Sequence, residues 1–496
     1  VEERKTASVR ILKRIFSFPV MLSSLLIVLA VLTVRARFDD PDMWWHLKMG
    51  QIIWTTHSIP TIDLFSYTTH HHAWIPHEWL AQVTIFLAYQ FAGYSGVMLW
   101  LCFFTAAVLI AGYALCTFYS GNAKVALVGA LVIWLFATTG LSVRPQMIGY
   151  LLLITELLII HFGRTRNPRW FFALPVLFAV WINCHGSFIL GLLLACALLF
   201  SSFFDFQAGS LVSSRWDPRC RKMLVIALVV SAAALFLNPV GIRQVLYPLD
   251  TMLHQPINLS SVAEWKPVQL NDGRGLGLMA VLLCIFLLVV VRHSKLYFDE
   301  LILLVLGTWL GASHERMLFV FGILAAPILS RLLAPTWDDY DPEHDLLIPN
   351  AMFIITALLI SYWAFPNHAY LVTQAEEQSP VKAVEFIKAH HLSGNMLNDY
   401  VYGGYLIWIA PEYPVFIDGR ADVFEWSGVL GEFSDWATLQ TGPDALPDKY
   451  AIDFCLLTRG SPMARVLPLL PDWKTIYSDN NSVILQRTHS AIQTNQ

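Results

Sequence analysis

The stretch RARFDDPDMWWHLKMGQIIW at residues 35–54, continued by TIDLFSYTTHHHAWIPHEW at 61–79, decides how this chain is read. It is the first polar segment. An apolar run from about Ile15 to Val34 precedes it and a long series of others follows. Between Arg35 and Glu78 stand Asp39, Asp40, Asp42, Asp63 and Glu78, six histidines, and Trp44, Trp45, Trp54 and Trp74. Tryptophans favour the boundary between hydrocarbon and water. Carboxylates beside a membrane can bind a divalent cation, position a phosphate or act as a general base. The loop therefore reads as the floor of an active site at a membrane surface. Asp42 also stands where it can cap a helix through MWWHLKMGQIIW. His46, four residues later, falls on the same helix face. His70, His71 and His72 are adjacent and cannot all turn to one ion, so they read as a solvated loop rather than a metal site.

Outward from this loop, composition sets the class. The chain has 496 residues, 56% hydrophobic and 14% charged, too apolar for a soluble protein of this size. Repeated apolar runs of about 17–25 residues fit membrane helices, and open sheets cannot span lipid. The expectation is a polytopic α-helical membrane protein of about 11 spans with a C-terminal soluble α/β domain. The net charge of −4 gives no support to nucleic-acid binding. Seven scattered cysteines form neither a disulfide framework nor a zinc spacing.

Charge sets the orientation. Arg4, Lys5, Arg10, Lys13 and Arg14 make residues 1–14 a basic cytoplasmic tail. Residues 15–370 form the transmembrane domain, with 35–78 as its large first external loop. Further apolar segments run at roughly 79–92, 95–118, 124–140, 146–162, 170–184, 187–205, 223–238, 275–292, 298–312, 316–334 and 350–365. Three connections are basic: Arg164 to Arg169, Arg215 to Lys222, and Arg292 with Lys295. The others hold SVRPQ at 142–146, NCHGS at 183–187, the segment from Asn238 to Arg274, and SHER at 313–316. If the basic connections lie inside, these face the acidic loop outside, provided 79–92, about 21 Å of helix, is re-entrant or interfacial. If 79–92 spans, one basic connection breaks the rule. Arg144, His185, Glu264 and Arg316 sit at span ends, where ionisable groups are functional candidates. Arg144 and Arg316 suit phosphate oxygens.

After residue 370 the texture changes. SPVKAVEFIKAHH reads as an amphipathic helix, and NMLND, YPVFIDG, DFCLLTR, WKTIYSD and SVILQR as strands, with helical patterns around Tyr405–Ile409 and Phe424–Leu439. This is an α/β domain over 371–496. Asp399 follows one expected strand, and Asp418, Gly419 and Arg420 follow another, where α/β folds place ligands. The acidic run WDDYDPEHD at 337–345 reads as a solvated loop.

The pattern resembles the GT-C superfamily of membrane glycosyltransferases, which take sugars from polyprenyl-phosphate carriers. DDPDMWWHLKMGQ, with P-x-x-D-x-F-S at 60–66, looks like that family's catalytic first external loop. Three features are similar to the catalytic subunit of oligosaccharyltransferases: DPDMWW at 40–45, SVAE at Ser261–Glu264 beside the S-V-x-E motif, and NDYVYGGYLIW with IDGRAD beside the W-W-D-Y-G-Y segment. Leu397 and Asn398 stand in place of that segment's two tryptophans, and SVRPQ lacks the acidic pair of the second external loop.

The resemblance implies a glycosyltransferase at the outer face of the plasma (inner) membrane, with its C-terminal domain periplasmic. The sugar would come from a polyprenyl-linked donor and go to a glycan, lipid or protein. Asp40, Asp42 and Glu264 are the catalytic candidates. Arg144, His185 and Arg316 are candidates for the donor phosphate. Trp44, His46, Asp399, Asp418 and Arg420 are candidates for the acceptor or substrate. Asp42 and Glu264 would hold Mg²⁺ or Mn²⁺. The alternative is a non-catalytic scaffold or lipid-carrier translocation component with the same frame. An ion-coupled transporter fits less well, because its site would lie near the bilayer midplane.

Overall fold

The structure, a computed structural model, describes residues 11–70, 72–261 and 263–488. Arg4, Lys5 and Arg10 of the expected tail, His71 of the histidine run and Val262 of SVAE lie outside the described residues. The chain forms two compact units. One holds the residues up to Arg37 together with Met98–Pro248 and Val262–Pro366; the other holds Phe38–Val97, Leu249–Ser261 and the chain from Asn367 onward.

The first unit is helical. Its centre is the Leu318–Leu333 helix, apolar on every side and buried along almost its whole length, as expected of a helix enclosed by others. It packs against Ala123–Ala137 and Phe298–Ser313. Small residues permit the close approach: a Cβ at Gly129 would stand 3.2 Å from the Ala326 carbonyl, and one at Gly322 would stand 3.1 Å from Phe136. The Leu347–Ala364 helix, packed on Phe18–Val34, buries only Asn350 and Ala357. Trp363 is 90% exposed there, an apolar surface suited to lipid rather than water. Among the described residues, five helices are long and apolar enough to cross a membrane: Trp79–Ser120, Gln146–Thr165, Gly273–Val291, Glu315–Thr336 and Leu347–Ala364. Four others, Phe18–Val34, Ala123–Ala137, Pro168–Cys184 and Phe188–Ser201, are apolar but shorter. Helices thus form near the expected apolar runs, but length and composition do not establish eleven crossings. The expected division near residue 92 is present: Trp79–Ser120 is interrupted by non-helical backbone at Ala92 and Gly93, the latter at φ +59°.

The run at 337–345 is more than a solvated loop. Asp339 accepts from the Ala123 N–H at 2.9 Å and Asp345 from the Phe18 N–H at 3.0 Å, so two helix starts find their missing acceptors there.

The second unit is α/β. Strands β1 (Asn395–Asn398), β2 (Ile452–Thr458), β3 (Trp473–Ser478) and β4 (Ser482–Arg487) form a sheet in the order β1-β2-β4-β3. β1 runs parallel to β2, and the other pairings are antiparallel. Four of the five expected strands are present. The fifth, YPVFIDG, makes only one bridge, Val415 to Ser66. Val415 exchanges backbone bonds with Phe65 and Tyr67, and beyond it a side chain serves: Asn398 donates to the Ile417 carbonyl at 2.7 Å and accepts from the Phe416 N–H at 2.7 Å. The expected helix around Phe424–Leu439 divides into Ala421–Trp426 and Val429–Ala437 at Gly428, where φ is +82°.

The first polar loop belongs to this α/β unit. Its helix, Met43–Thr56, lies against Gly403–Ile409. Trp44 meets Tyr405 edge-on at 5.2 Å, and Gly404 lies against the Pro41 carbonyl with no space for a Cβ.

Candidate active site

Within the α/β unit, sequence segments far apart in the chain are brought together. Asp40 is buried and its Oδ1 accepts from the Asp42 N–H at 3.0 Å. Asp42 occupies the cap position of the Met43–Thr56 helix, yet its side chain makes no capping bond. Its Oδ1 accepts from the Trp45 indole at 3.2 Å and fills the place a Cβ at Gly419 would take. The capping reading is thereby corrected: the carboxylate is turned toward the indole and away from the helix amides. His46 is buried, with Nδ1 3.3 Å from the Gln82 amide nitrogen and its ring against Trp45 at 3.7 Å. Asp399 sits at the carboxyl end of β1 and accepts from the Thr458 N–H at 3.2 Å.

Asp418 and Arg420 lie in a buried ionic cluster whose third member, Asp63, was given no role from sequence. Arg420 Nη1 lies 2.6 Å from Asp63 Oδ1, Nη2 lies 2.6 Å from Asp418 Oδ2, and Nε lies 2.8 Å from Asp418 Oδ1. All three side chains are 0% exposed. Phe65 and Trp74 flank the guanidinium at 4.8 and 4.9 Å. Burial works to raise the Asp63 carboxyl. The charge of Arg420 opposes it, aided by hydrogen bonds from Ser66, Thr69 and Arg420, and holds the carboxyl below its ordinary value. Burial works to lower the Arg420 pKa, and Asp418 and Asp63 together raise it instead. The sequence signal was P-x-x-D-x-F-S itself: Asp63 also accepts from the Phe65 and Ser66 N–H groups, an Asx turn built by that spacing.

The helical unit carries a second cluster. Arg144 precedes the Gln146–Thr165 helix, and its Nη1 lies 3.5 Å from Glu264 Oε1. Arg316, in the short turn before Leu318–Leu333, lies 3.7 Å from Glu264 Oε2. The Arg316 guanidinium also covers the Trp265 ring at 5.5 Å. His185 lies at the same end of the Gln146–Thr165 helix, its Nδ1 3.1 Å from where a Cβ at Gly149 would stand. Nδ1 accepts from the Ser187 N–H at 3.2 Å, so in the neutral ring the proton resides on Nε2. The opposite end of the unit holds Arg164 with Asp299, and Arg331 with Glu300 at 2.5 Å. Arg144, His185, Glu264 and Arg316 therefore gather at one end of the unit, away from the basic connections at Arg164 and Lys295.

The two clusters have opposite balance. The buried one sets two carboxylates on one arginine. The half-exposed one brings two arginines to the Glu264 carboxylate, and guanidinium forks suit the oxygens of an anion. The same balance bears on the expected metal. Two guanidiniums within 3.7 Å of Glu264 repel a divalent cation there. Among the described residues, no three His, Cys, Asp or Glu side chains group as metal ligands. The residues around Glu264 do not fit Mg²⁺ or Mn²⁺.

No protein-family model and no curated protein sequence matches the chain. Solved structures match its fold. The oligosaccharyltransferase AglB of Archaeoglobus fulgidus, in complex with an inhibitory peptide and a dolichol-phosphate, is 12% identical with a TM-score of 0.52, the match covering 88% of this chain and 69% of that one. ArnT from Cupriavidus metallidurans, bound to undecaprenyl phosphate, is 11% identical with a TM-score of 0.52, covering 95% of this chain and 98% of that one.

Proposed function

We propose that this chain, which has the fold of the GT-C membrane glycosyltransferases, moves a sugar from a polyprenyl-phosphate-linked donor to an acceptor at the outer face of a plasma membrane. The observation that carries the reading is the meeting of Arg144 and Arg316 at the part-exposed Glu264, at one end of the helical unit. The dolichol-phosphate of AglB and the undecaprenyl phosphate of ArnT are ligands of the same chemical class.

The reaction is a displacement at the anomeric carbon. An acceptor oxygen or nitrogen forms the new bond to that carbon as the bond to the donor phosphate oxygen breaks. Asp42, with Asp40 as the other candidate, takes the proton from the acceptor. Arg144, Arg316 and the Nε2–H of His185 hold the charge that develops on the leaving phosphate. Glu264 spaces the two arginines. Trp44, His46 and Asp399 belong to the acceptor side, and Asp418 and Arg420 act behind them by holding the Asp42 loop. No step is routed through a metal ion.

The proposed topology keeps the N-terminus cytoplasmic, about 11 crossings and residues 371–496 outside. The segregation of Arg144 from Arg164 to opposite ends of one helix supports it. Cysteine labelling from each side of the membrane tests it.

The functional test is transfer from a panel of polyprenyl-linked sugars by the wild-type protein, Asp42→Asn and Asp40→Asn. Loss in either variant supports the reading, and full activity in both removes the base from this loop. The absence of an acid in SVRPQ favours a second reading, a scaffold or translocation component that binds the lipid carrier without transfer. Carrier binding with no turnover on any donor would select it.

A further inference from the structure

β1 and β2 are parallel, and their carboxyl ends open on a crevice, the position where open α/β sheets bind ligands. The crevice has two adjoining parts. The inner part, of 320 Å³, is lined by Asp39 and Trp44 of the first loop and by Glu377, Tyr402 and Thr458. The outer part, of 560 Å³, is lined by Arg459, Arg465, Thr475 and Ser478. Gly460 and Asn480 border both, so the two parts adjoin between the first loop and the edge of the sheet.

Its two ends differ in charge. The outer part is lined by two arginines and no acid. Arg459 donates to the Asp479 backbone carbonyl at 2.9 Å, a neutral acceptor. The nearby Asp479 carboxylate is already used: it accepts from the Tyr477 hydroxyl at 2.7 Å and from the Asn481 and Ser482 N–H groups at 2.8 and 2.7 Å. Arg465 is exposed, and among the described residues neither arginine forms an ion pair. The inner part instead carries the exposed carboxylates of Asp39 and Glu377, while its aromatic side chains Phe38, Trp44 and Tyr402 are buried. Carboxylates accept from sugar hydroxyls.

We propose that this cleft holds the acceptor and that the acceptor is an anionic saccharide. Its phosphate monoester or carboxylate pairs with Arg459 and Arg465, and its sugar hydroxyls extend toward Asp39 and Glu377. The hydroxyls of Thr475 and Ser478 supply further donors to the anion. The proposal rests on the glycosyl-transfer reading for the word acceptor. The anionic-saccharide site itself rests on the cleft.

The test measures binding of glucose 1-phosphate, glucuronate and glucose to the full-length protein in nanodiscs, by ligand-detected NMR. At least one charged sugar is expected to bind about tenfold tighter than glucose, and which one does so names the anion. Arg465→Ala, at an exposed site, is expected to reduce that preference, and Arg459→Ala/Arg465→Ala to abolish it. Arg459→Lys/Arg465→Lys is expected to keep part of it. Equal binding of all three sugars, no binding of any, or a preference unchanged in the double alanine variant overturns the proposal. Polyprenyl phosphate binding and donor turnover are measured on the same samples. A wild-type protein that binds the charged sugar but neither binds nor turns over a polyprenyl donor leaves the cleft standing and removes the transferase reading.

Discussion

The cluster of Asp63, Arg420 and Asp418 and the cluster of Arg144, Glu264 and Arg316 use the same side chains in opposite ways. In the first, contacts are 2.6 to 2.8 Å, exposure is 0%, and the guanidinium has carboxylate partners on three of its nitrogens. Nothing is left over for a ligand. In the second, contacts are 3.5 and 3.7 Å, and Glu264 is 38% exposed. Two guanidiniums meet one acid there, and all three side chains keep access to solvent. Saturation and burial mark a structural cluster. Longer contacts and access mark a binding one.

The largest expected effect breaks the first cluster. Arg420→Ala strands two buried carboxylates and is expected to cost about 3–5 kcal/mol of stability, read by thermal unfolding. A variant as stable as wild type would remove the distinction drawn between the clusters. Next, Arg144→Ala and Arg316→Ala are each expected to lower sugar transfer by about 10²- to 10³-fold with little change in thermal midpoint. A loss of folding in place of a loss of turnover would make the second cluster structural too.

Acid sharpens the contrast. The Asp63 carboxyl is held below its ordinary 3.8, so its stabilisation is complete above about that pH and is lost as pH falls through the lower native value. Wild type is therefore expected to lose stability steeply below about pH 4, and Asp63→Asn to show a shallower acid limb on top of lower stability. Equal slopes would deny the coupling to Arg420. The smallest effect is Glu264→Gln. It is expected to change stability by no more than about 0.5 kcal/mol, because the side chain is part-exposed, and to tighten polyprenyl phosphate binding by raising the net positive charge. Chelation with EDTA is expected to leave that binding unchanged.

Much of the helical unit could be read from sequence because long apolar runs and basic connections leave a direct imprint, down to the break at Ala92 and Gly93. Site residues were legible by type but not by partner. Asp63 and Arg420 are 357 positions apart, beyond the reach of any local pattern. YPVFIDG has strand composition, but its hydrogen bonds go to residues 65–68 of the first loop and to the Asn398 amide, and propensity cannot see who the partner is. Asp42 stands where a cap belongs, and the Trp45 indole takes its carboxylate. The gathering of Arg144, His185, Glu264 and Arg316 at one end was legible from their places at span ends. The meeting of both arginines at Glu264 was not, because it depends on which side chains come together.

The most direct measurement is the affinity of the full-length protein for polyprenyl phosphate, wild type against Arg144→Ala/Arg316→Ala, at matched thermal stability. Binding weaker by about tenfold or more in the variant, with a reduced salt dependence, is the expected result. Equal affinity in the two folded proteins would contradict the assignment of this cluster to the donor phosphate.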